Sequence, residues 1–408
     1  MDPILHEWGG LLIRWLHVIA AMAWIGASFY FMHLDASLRR APDQPAGTTG
    51  DAWEVHGGGF YHVRKYVVAP ERMPEHLIWH KWQAYMTWFS GFALLCWVYY
   101  GAADLYLIDP AVRPISTPVG AAIGIGGLVL GWFVYSALVS SRLSENEVAL
   151  AAVGFGFVVL MAWAFQQVFS GRAAMLHTGA VMATWMAGNV LLVIIPNQRK
   201  VTADLIAGRT PDPKYGKIAK VRSLHNNYLT LPVVFFMLAN HYPTAWSTPL
   251  LPVVVALVLI AGAVIRHFYN ERHAERGNPW WAWGVAAACL LGAAFIGISS
   301  SPMGRERLGL AELAPQAGTL PPGHAAPPRE VVEVVTGRCS MCHASQPVWT
   351  GVHIAPKGVL LDTPEHIARQ AEAIRIQAVM THAMPPNNLT GMEPEERRIL
   401  AEWLRRRG

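Results

Sequence analysis

Two thiols separated by two residues and followed at once by a histidine, Cys339-Ser340-Met341-Cys342-His343, carry the most explicit chemistry in this chain. Such thiols can add across the vinyl groups of a haem, and the adjacent imidazole then sits beneath the iron as its proximal ligand. The competing reading is a zinc or redox CxxC with an incidental histidine. A zinc ribbon would want a second CxxC. The other cysteines, Cys96 and Cys289, stand far away in apolar runs and read as small buried hydrophobes. A class I c-type site also needs a sixth ligand. Thr381-His382-Ala383-Met384-Pro385-Pro386-Asn387-Asn388 offers Met384, followed by two prolines that stiffen the loop around a weak thioether ligand. His382 competes for that role, whereas Met380 and Met392 lack the flanking prolines. The segment from Pro394 to Leu404 reads as a closing helix, with acids at its start, arginines towards its end and Ile399, Leu400, Trp403 and Leu404 as its apolar stripe.

The elements that must hold this motif are set by composition. Of 408 residues, 53% are hydrophobic and only 14% charged, which is too apolar for an ordinary soluble protein. Eight runs long enough to span a bilayer are expected near 9–33, 80–102, 118–140, 147–169, 173–195, 224–241, 249–268 and 280–300, although Pro232 interrupts the sixth. Met1 to Glu7 carry acids and no basic residue, unlike a signal-peptide n-region. Arg39, Arg40, Arg64 and Lys65 crowd the first loop, seven lysines and arginines the fifth, and Arg266, Arg272 and Arg276 the seventh. Basic loops stay cytoplasmic, so both termini face outward. Covalent haem attachment on the periplasmic side of the bacterial inner membrane asks for the same orientation. The net charge of +5 is therefore a topology signal, not a nucleic-acid footprint. Three units follow: a membrane domain over 1–300, a Pro/Ala-rich linker over 301–328 and a cytochrome c domain over 329–408. The expected class is all-α, a polytopic bundle of eight transmembrane helices plus a class I cytochrome c. Leu16-His17 to Trp24 recurs as Leu176-His177 to Trp185 with one inserted residue, which suggests a 4+4 repeat.

Ionisable residues inside spans invite functional readings. His17 lies roughly 10 Å deep in the first run at 1.5 Å per residue, and His177 lies at a matching level in the fifth. The pair can ligate a haem b, or each can simply bond a neighbouring helix; Arg14 stands one turn from His17. A cytoplasmic counterpart would draw on His225 and His267; without such a relay the substrate site moves to the periplasmic half, close to Arg14, His17, His177 and His241. At the cytoplasmic ends a second group collects: His56 with Gly57-Gly58-Gly59, Lys81, Arg222, His225-Asn226-Asn227-Tyr228 and Arg266. Glycines permit close backbone approach, amides donate and accept, and guanidinium offers a planar fork. That set suits a small planar anion. The expected roles are Lys81, His225 and His56 in catalysis, with Arg222, Asn226, Asn227, Tyr228 and Arg266 binding substrate.

Across nearly its whole length the sequence resembles the bacterial integral-membrane urate oxidases with a C-terminal cytochrome c. The resemblance rests on Trp15-Leu16-His17 with Trp24-Ile25-Gly26, His56 to Tyr61, Pro196-Asn197-Gln198-Arg199, Arg222 to Pro232, Asn240-His241-Tyr242-Pro243 and the haem motif with His382-Ala383-Met384-Pro385-Pro386. It implies oxidation of urate to 5-hydroxyisourate with electrons passed to haem c and no hydrogen peroxide made. The partners implied are urate, membrane lipid and a periplasmic or membrane electron acceptor such as a terminal oxidase, with homo-oligomerisation open. The alternative is a membrane cytochrome subunit that relays electrons from quinol without substrate chemistry.

Overall fold

Apolar runs rich in Ala, Val, Leu and Gly satisfy their own backbone only as helices in a low-dielectric setting, and the chain is built accordingly. The structure is a computed structural model that describes residues 3–40, 43–45, 47–66, 70, 73–300, 302–310, 326–350, 352, 355–356 and 359–407. Helix α1 spans Pro3–Ser37 and leads into a hairpin of β1 (Thr48–His56) and β2 (Gly59–Tyr66). Helix α2 (Trp82–Leu94) runs on through a π-helical segment, Leu95–Tyr100, to short α3 (Ala103–Tyr106). Then come α4 (Thr117–Ser140) and α5 (Glu147–Gln166). Helix α6 (Gly171–Gly188) continues through a second π-helical segment, Asn189–Ile194, into α7 (Ile195–Ile206). The remaining membrane-unit helices are α8 (Pro213–Ala239), short α9 (Pro243–Trp246), α10 (Leu251–His273), α11 (Trp281–Ser299) and α12 (Pro302–Arg307).

Among the described residues, six helices are long and apolar enough to cross a membrane: Trp8–Ser37, Thr117–Ser140, Glu147–Gln166, Gly171–Ile206, Leu251–His273 and Trp281–Ser299. The expected second and sixth spans do form helices, but they are not among these six. The π-helical segment divides the second into shorter pieces, and the sixth lies within α8, whose first half is polar and basic. Helix α8 passes through Pro232 without breaking. A Cβ on Gly262 of α10 would stand only 2.6 Å from the proline ring, so the absence of a side chain there lets the two helices close up around the imino acid. Glycine does similar work on α4, where Cβ atoms at Gly124 and Gly131 would meet His177 and Val181 of α6 at 2.7 and 2.6 Å.

The hairpin departs from the all-α expectation. Gly57 and Gly58 both have positive φ, 57° and 81°, as a two-residue turn with the right twist demands. A Cβ on either would meet nothing within 4 Å. The glycine run thus serves a turn, not close approach to a ligand, and His56 stands exposed beside it. Across the strands Asp51 faces Arg64, which grips it through Nε at 2.9 Å and Nη2 at 2.8 Å, while His62 Nε2 lies 2.8 Å from the same carboxylate.

The C-terminal part has a hydrophobic cluster of its own. It comprises α13 (Arg329–Arg338), α14 (Pro364–Arg369), α15 (Ala371–Ile374), a π-helical segment at Arg375–Met380 and α16 (Pro394–Arg406). Val331, Val334 and Val335 pack with Leu361, Ile367, Ile374, Leu400, Trp403 and Leu404. The closing helix forms as expected, with a reciprocal capping box between Glu393 and Glu396. Most of the expected linker, 311–325, and position 301 lie outside the described residues.

Candidate functional site

A cavity lies between α1, α2 with its π-helical extension, α6 and α8, towards the end of the bundle that carries the C-terminal part. Its volume is about 240 Å³. One wall is flat and apolar: Trp88 stacks on Phe92 at 5.3 Å between ring centroids with planes 3° apart, flanked by Leu95, Val98, Leu176 and Met237. Arg14, His17, Thr87, Tyr99, Asn240 and His241 supply the polar lining. The π-helical segment places Tyr99 here, and its buried hydroxyl donates to Asn240 Oδ1. That bond leaves the Asn240 amide N–H groups for other acceptors. His17 Nδ1 lies 3.0 Å from the Thr87 carbonyl and 3.2 Å from Ser90 Oγ. The carbonyl can only accept, so Nδ1 holds the proton and Nε2 keeps a lone pair. Gly91 makes room for this ring, since a Cβ there would lie 2.8 Å from His17 Cε1.

This cavity gathers a planar apolar face, one guanidinium, two imidazoles and an amide. A flat, anionic heterocycle with carbonyl and N–H edges is its chemical complement.

The residues expected to bind substrate lie elsewhere and fall into two groups whose polar atoms are largely engaged with one another. In the first, Asn189 on the second π-helical segment donates to Tyr135 Oη at 2.8 Å and to Asn226 Oδ1 at 2.9 Å, and accepts from Arg222 Nη1 at 3.1 Å. Tyr135 donates on to His225 Nδ1 at 2.8 Å, and the Arg222 guanidinium sits 5.1 Å over the Tyr135 ring. In the second, Arg266 Nε donates to Asn227 Oδ1 at 2.6 Å, and Asn227 donates to Asn270 at 3.0 Å. Arg266 also lies 4.3 Å over Phe29. Arg222 and Asn227 are only 4% and 3% exposed. Lys81 precedes α2, its ammonium 5.6 Å from the Trp82 ring, and His56 stands exposed at the hairpin turn. Tyr228, on α8, is half-buried.

The paired histidines also separate. His17 borders the cavity, but His177 is fully buried, with Nδ1 donating to the Ala173 carbonyl at 2.8 Å and Nε2 accepting from Tyr100 at 3.1 Å. Rings of Phe165, Phe169, Tyr99 and Tyr100 enclose it. With both nitrogens committed and no shared cavity, this arrangement does not fit a haem held between the two. His225 turns to Tyr135, whereas His267 faces Trp281 across α10 and α11.

The c-type motif follows α13. His343 Nδ1 lies 3.0 Å from the Val359 carbonyl, which fixes the ring and leaves Nε2 as the metal-binding nitrogen. Cys339 and Cys342 are free thiols, and burial pushes Cys339 up to about 12. Among the described residues no three His, Cys, Asp or Glu groups converge as a metal site, so the motif has no further protein ligands of the kind zinc would require. Met392 is 2% exposed in the hydrophobic cluster and Met380 packs against it, but Met384 lies outside it. Arg397 Nη1 donates to the Met384 carbonyl at 3.0 Å, and the Met384 N–H reaches the Gln377 carbonyl at 2.8 Å, steadying the loop from both sides. Trp403 Nε1 is buried in this unit without a protein partner. A pinned histidine, two reduced thiols, a loop methionine kept out of the core and an unused buried donor fit a covalently held haem.

What sequence reading missed was the part of Tyr99 and Asn240 in this lining. His241 stood with Arg14, His17 and His177 in the fallback site of the sequence reading, but nothing in the one-dimensional pattern brought Tyr99 and Asn240 to the same place. No curated protein and no solved structure matches the chain. Its first three quarters do match the family described as urate oxidase N-terminal, over residues 3–297, and the chain belongs to that family.

Proposed function

We propose that this chain is a membrane urate dehydrogenase that converts urate to 5-hydroxyisourate and delivers the electrons to a c-type haem on its C-terminal unit, without making hydrogen peroxide. The observation that carries the reading is the cavity between α1, α2, α6 and α8, within the residues matched to the urate oxidase family and complementary to a flat anion. Urate stacks along Trp88 and Phe92, with Arg14 balancing its charge and the Asn240 amide donating to a ring carbonyl. His17 Nε2 takes the proton of the water that adds at C5. The balance is urate plus water giving 5-hydroxyisourate, two protons and two electrons. Bound through Cys339 and Cys342 and ligated by His343 and Met384, a c-type haem supplies a one-electron acceptor, so two transfers serve each urate. A periplasmic or membrane acceptor then reoxidises the chain.

The test is to mix anaerobic, oxidised full-length protein with urate alone and follow the haem absorption. Reduction is expected. Reduction by a quinol but not by urate would overturn the assignment. His17→Gln should slow the reaction by roughly 10²–10⁴-fold, the usual share of a general base, and leave the oxidised haem spectrum unchanged.

A further inference from the structure

The loop that carries Met384 does not hang free. Ala383 is 4% exposed because it is packed into the hydrophobic cluster of the membrane unit. Asn387 Nδ2 donates to the Asp104 carbonyl of α3 at 3.1 Å. Between the two units lies a small pocket of about 90 Å³, bordered by His382, Ala383, Pro386 and Asn387 on one side and by Leu105, Asp109, Arg172 and Trp246 among others on the opposite side. The buried indole N–H of Trp246, Nε of Arg172 and the Ser247 hydroxyl have no protein partner. The seam is therefore tight in van der Waals terms but weakly bonded.

A row of rings joins this seam to the cavity. Tyr99 lines the cavity and lies 5.8 Å from Tyr106, centroid to centroid. The Arg172 guanidinium sits 5.6 Å from the Tyr106 ring and 5.0 Å from the Trp246 ring. Trp246 borders the seam pocket opposite the residues flanking Met384. Electron tunnelling falls off exponentially with distance and faster through gaps than through packed matter. This row is packed from the cavity as far as the seam pocket, and the hydrogen bond from Asn387 to Asp104 beside that pocket makes a direct contact with the ligand loop.

We infer that the face made by α3, Arg172 and Trp246 is the electron exit of the membrane unit, and that the C-terminal unit is in its electron-accepting position when the 382–387 loop is seated there. The inference rests on the reading of urate as electron donor. Two electrons would leave urate in the cavity, one at a time, for the one-electron acceptor that Cys339, Cys342, His343 and Met384 would hold, and the two protons would leave through the cavity. Tyr106 and Trp246 are positioning residues that touch neither substrate nor haem iron.

Leu105→Cys and Pro386→Cys, introduced together into the full chain, face each other across the seam pocket. A short bifunctional maleimide should join them, read as a linked peptide by mass spectrometry, with the single variants as controls. Urate should reduce the haem of the linked protein at the unlinked rate. Leu105→Glu, which forces a second carboxylate beside Asp109 in the seam, should slow haem reduction by about tenfold or more. The half-saturating urate concentration and the haem midpoint potential should stay unchanged. Absence of the linked peptide, loss of reduction in the linked protein, or an unslowed Leu105→Glu would each overturn the inference. Wild-type haem that urate leaves oxidised would sink the urate reading and this route with it, whereas the linked peptide still reports docking by itself.

Discussion

Three methionines near the end of the chain show how residue chemistry and residue position divide the work. Met392 is a core side chain at 2% exposure, Met380 packs against the same cluster, and Met384 lies outside it with its backbone held by Gln377 and Arg397. Met384→Ala should therefore abolish the sulfur-to-iron charge-transfer band of the oxidised haem and lower its potential, with little change in unfolding. Met392→Ala should do the reverse: the band survives and the C-terminal unit loses about 2–5 kcal/mol, the range for emptying a buried methionine site. Spectra and denaturant melts on the two variants decide it, and loss of the band in Met392→Ala would reassign the ligand. The proline pair after Met384 was a legible signal because prolines restrain a loop wherever the fold puts it. Arg222, Asn226 and Asn227 were less legible for the opposite reason. Their donors and acceptors suit a ligand, but only three dimensions reveal that several of them bond Asn189 and Asn270, while Arg222 Nε is buried without a hydrogen-bond partner.

At the scale of elements, long apolar runs announced themselves, whereas local departures from regular helix did not. The π-helical segments at Leu95–Tyr100 and Asn189–Ile194 turn Tyr99 towards the cavity and Asn189 towards Arg222, and a periodicity of 3.6 residues cannot forecast them. The hairpin was legible in hindsight: Gly57-Gly58 between runs rich in Val, Trp, Tyr and Phe is a turn signal, overlooked beside the stronger membrane pattern. Its ionic clip predicts a pH dependence. Arg64, then His62, hold the Asp51 carboxyl at about 2, below its ordinary 3.8. A carboxyl depressed on folding stabilises the folded form above its unfolded value and loses that contribution as pH falls towards the folded one. The protection factors of the hairpin amides, each the intrinsic exchange rate at that pH divided by the observed one, should be high at pH 7 and fall as pH drops from 4 to 2. Asp51→Asn should show low protection already at neutral pH and converge on the wild type at the acid end. A constant difference across the range would show that the ion pair does not hold the hairpin closed.

On the scale of the whole molecule, the position of the cavity decides how much redox machinery the chain needs. A substrate site among the basic loops would leave a hydrocarbon core of about 30 Å between urate and a haem on the far side, and would call for a relay such as haem b. The cavity instead lies at the end of the bundle where the C-terminal unit is seated, with Tyr99, Tyr106, Arg172 and Trp246 between them. Distance no longer demands a second haem, and the histidines proposed to hold one do not present themselves to a common space. His177 is sealed by Ala173, Tyr100 and aromatic rings, and His267 faces Trp281. A cavity of about 240 Å³ lined by Trp88, Phe92 and Leu95 is also small for a porphyrin, since pockets for drug-sized ligands begin at about 300 Å³. Alkaline pyridine spectra of the purified full chain, set against protein concentration, should show c-type haem in one-to-one ratio and no b-type component. Acid–acetone extraction should remove no haem, because thioether bonds resist it. A b-type band approaching one per chain would reinstate the relay and return the substrate to the basic end, beside Arg222 and Arg266. In that event His177→Leu should abolish the b-type band; if the c-type haem stands alone, the same change should leave the haem content untouched.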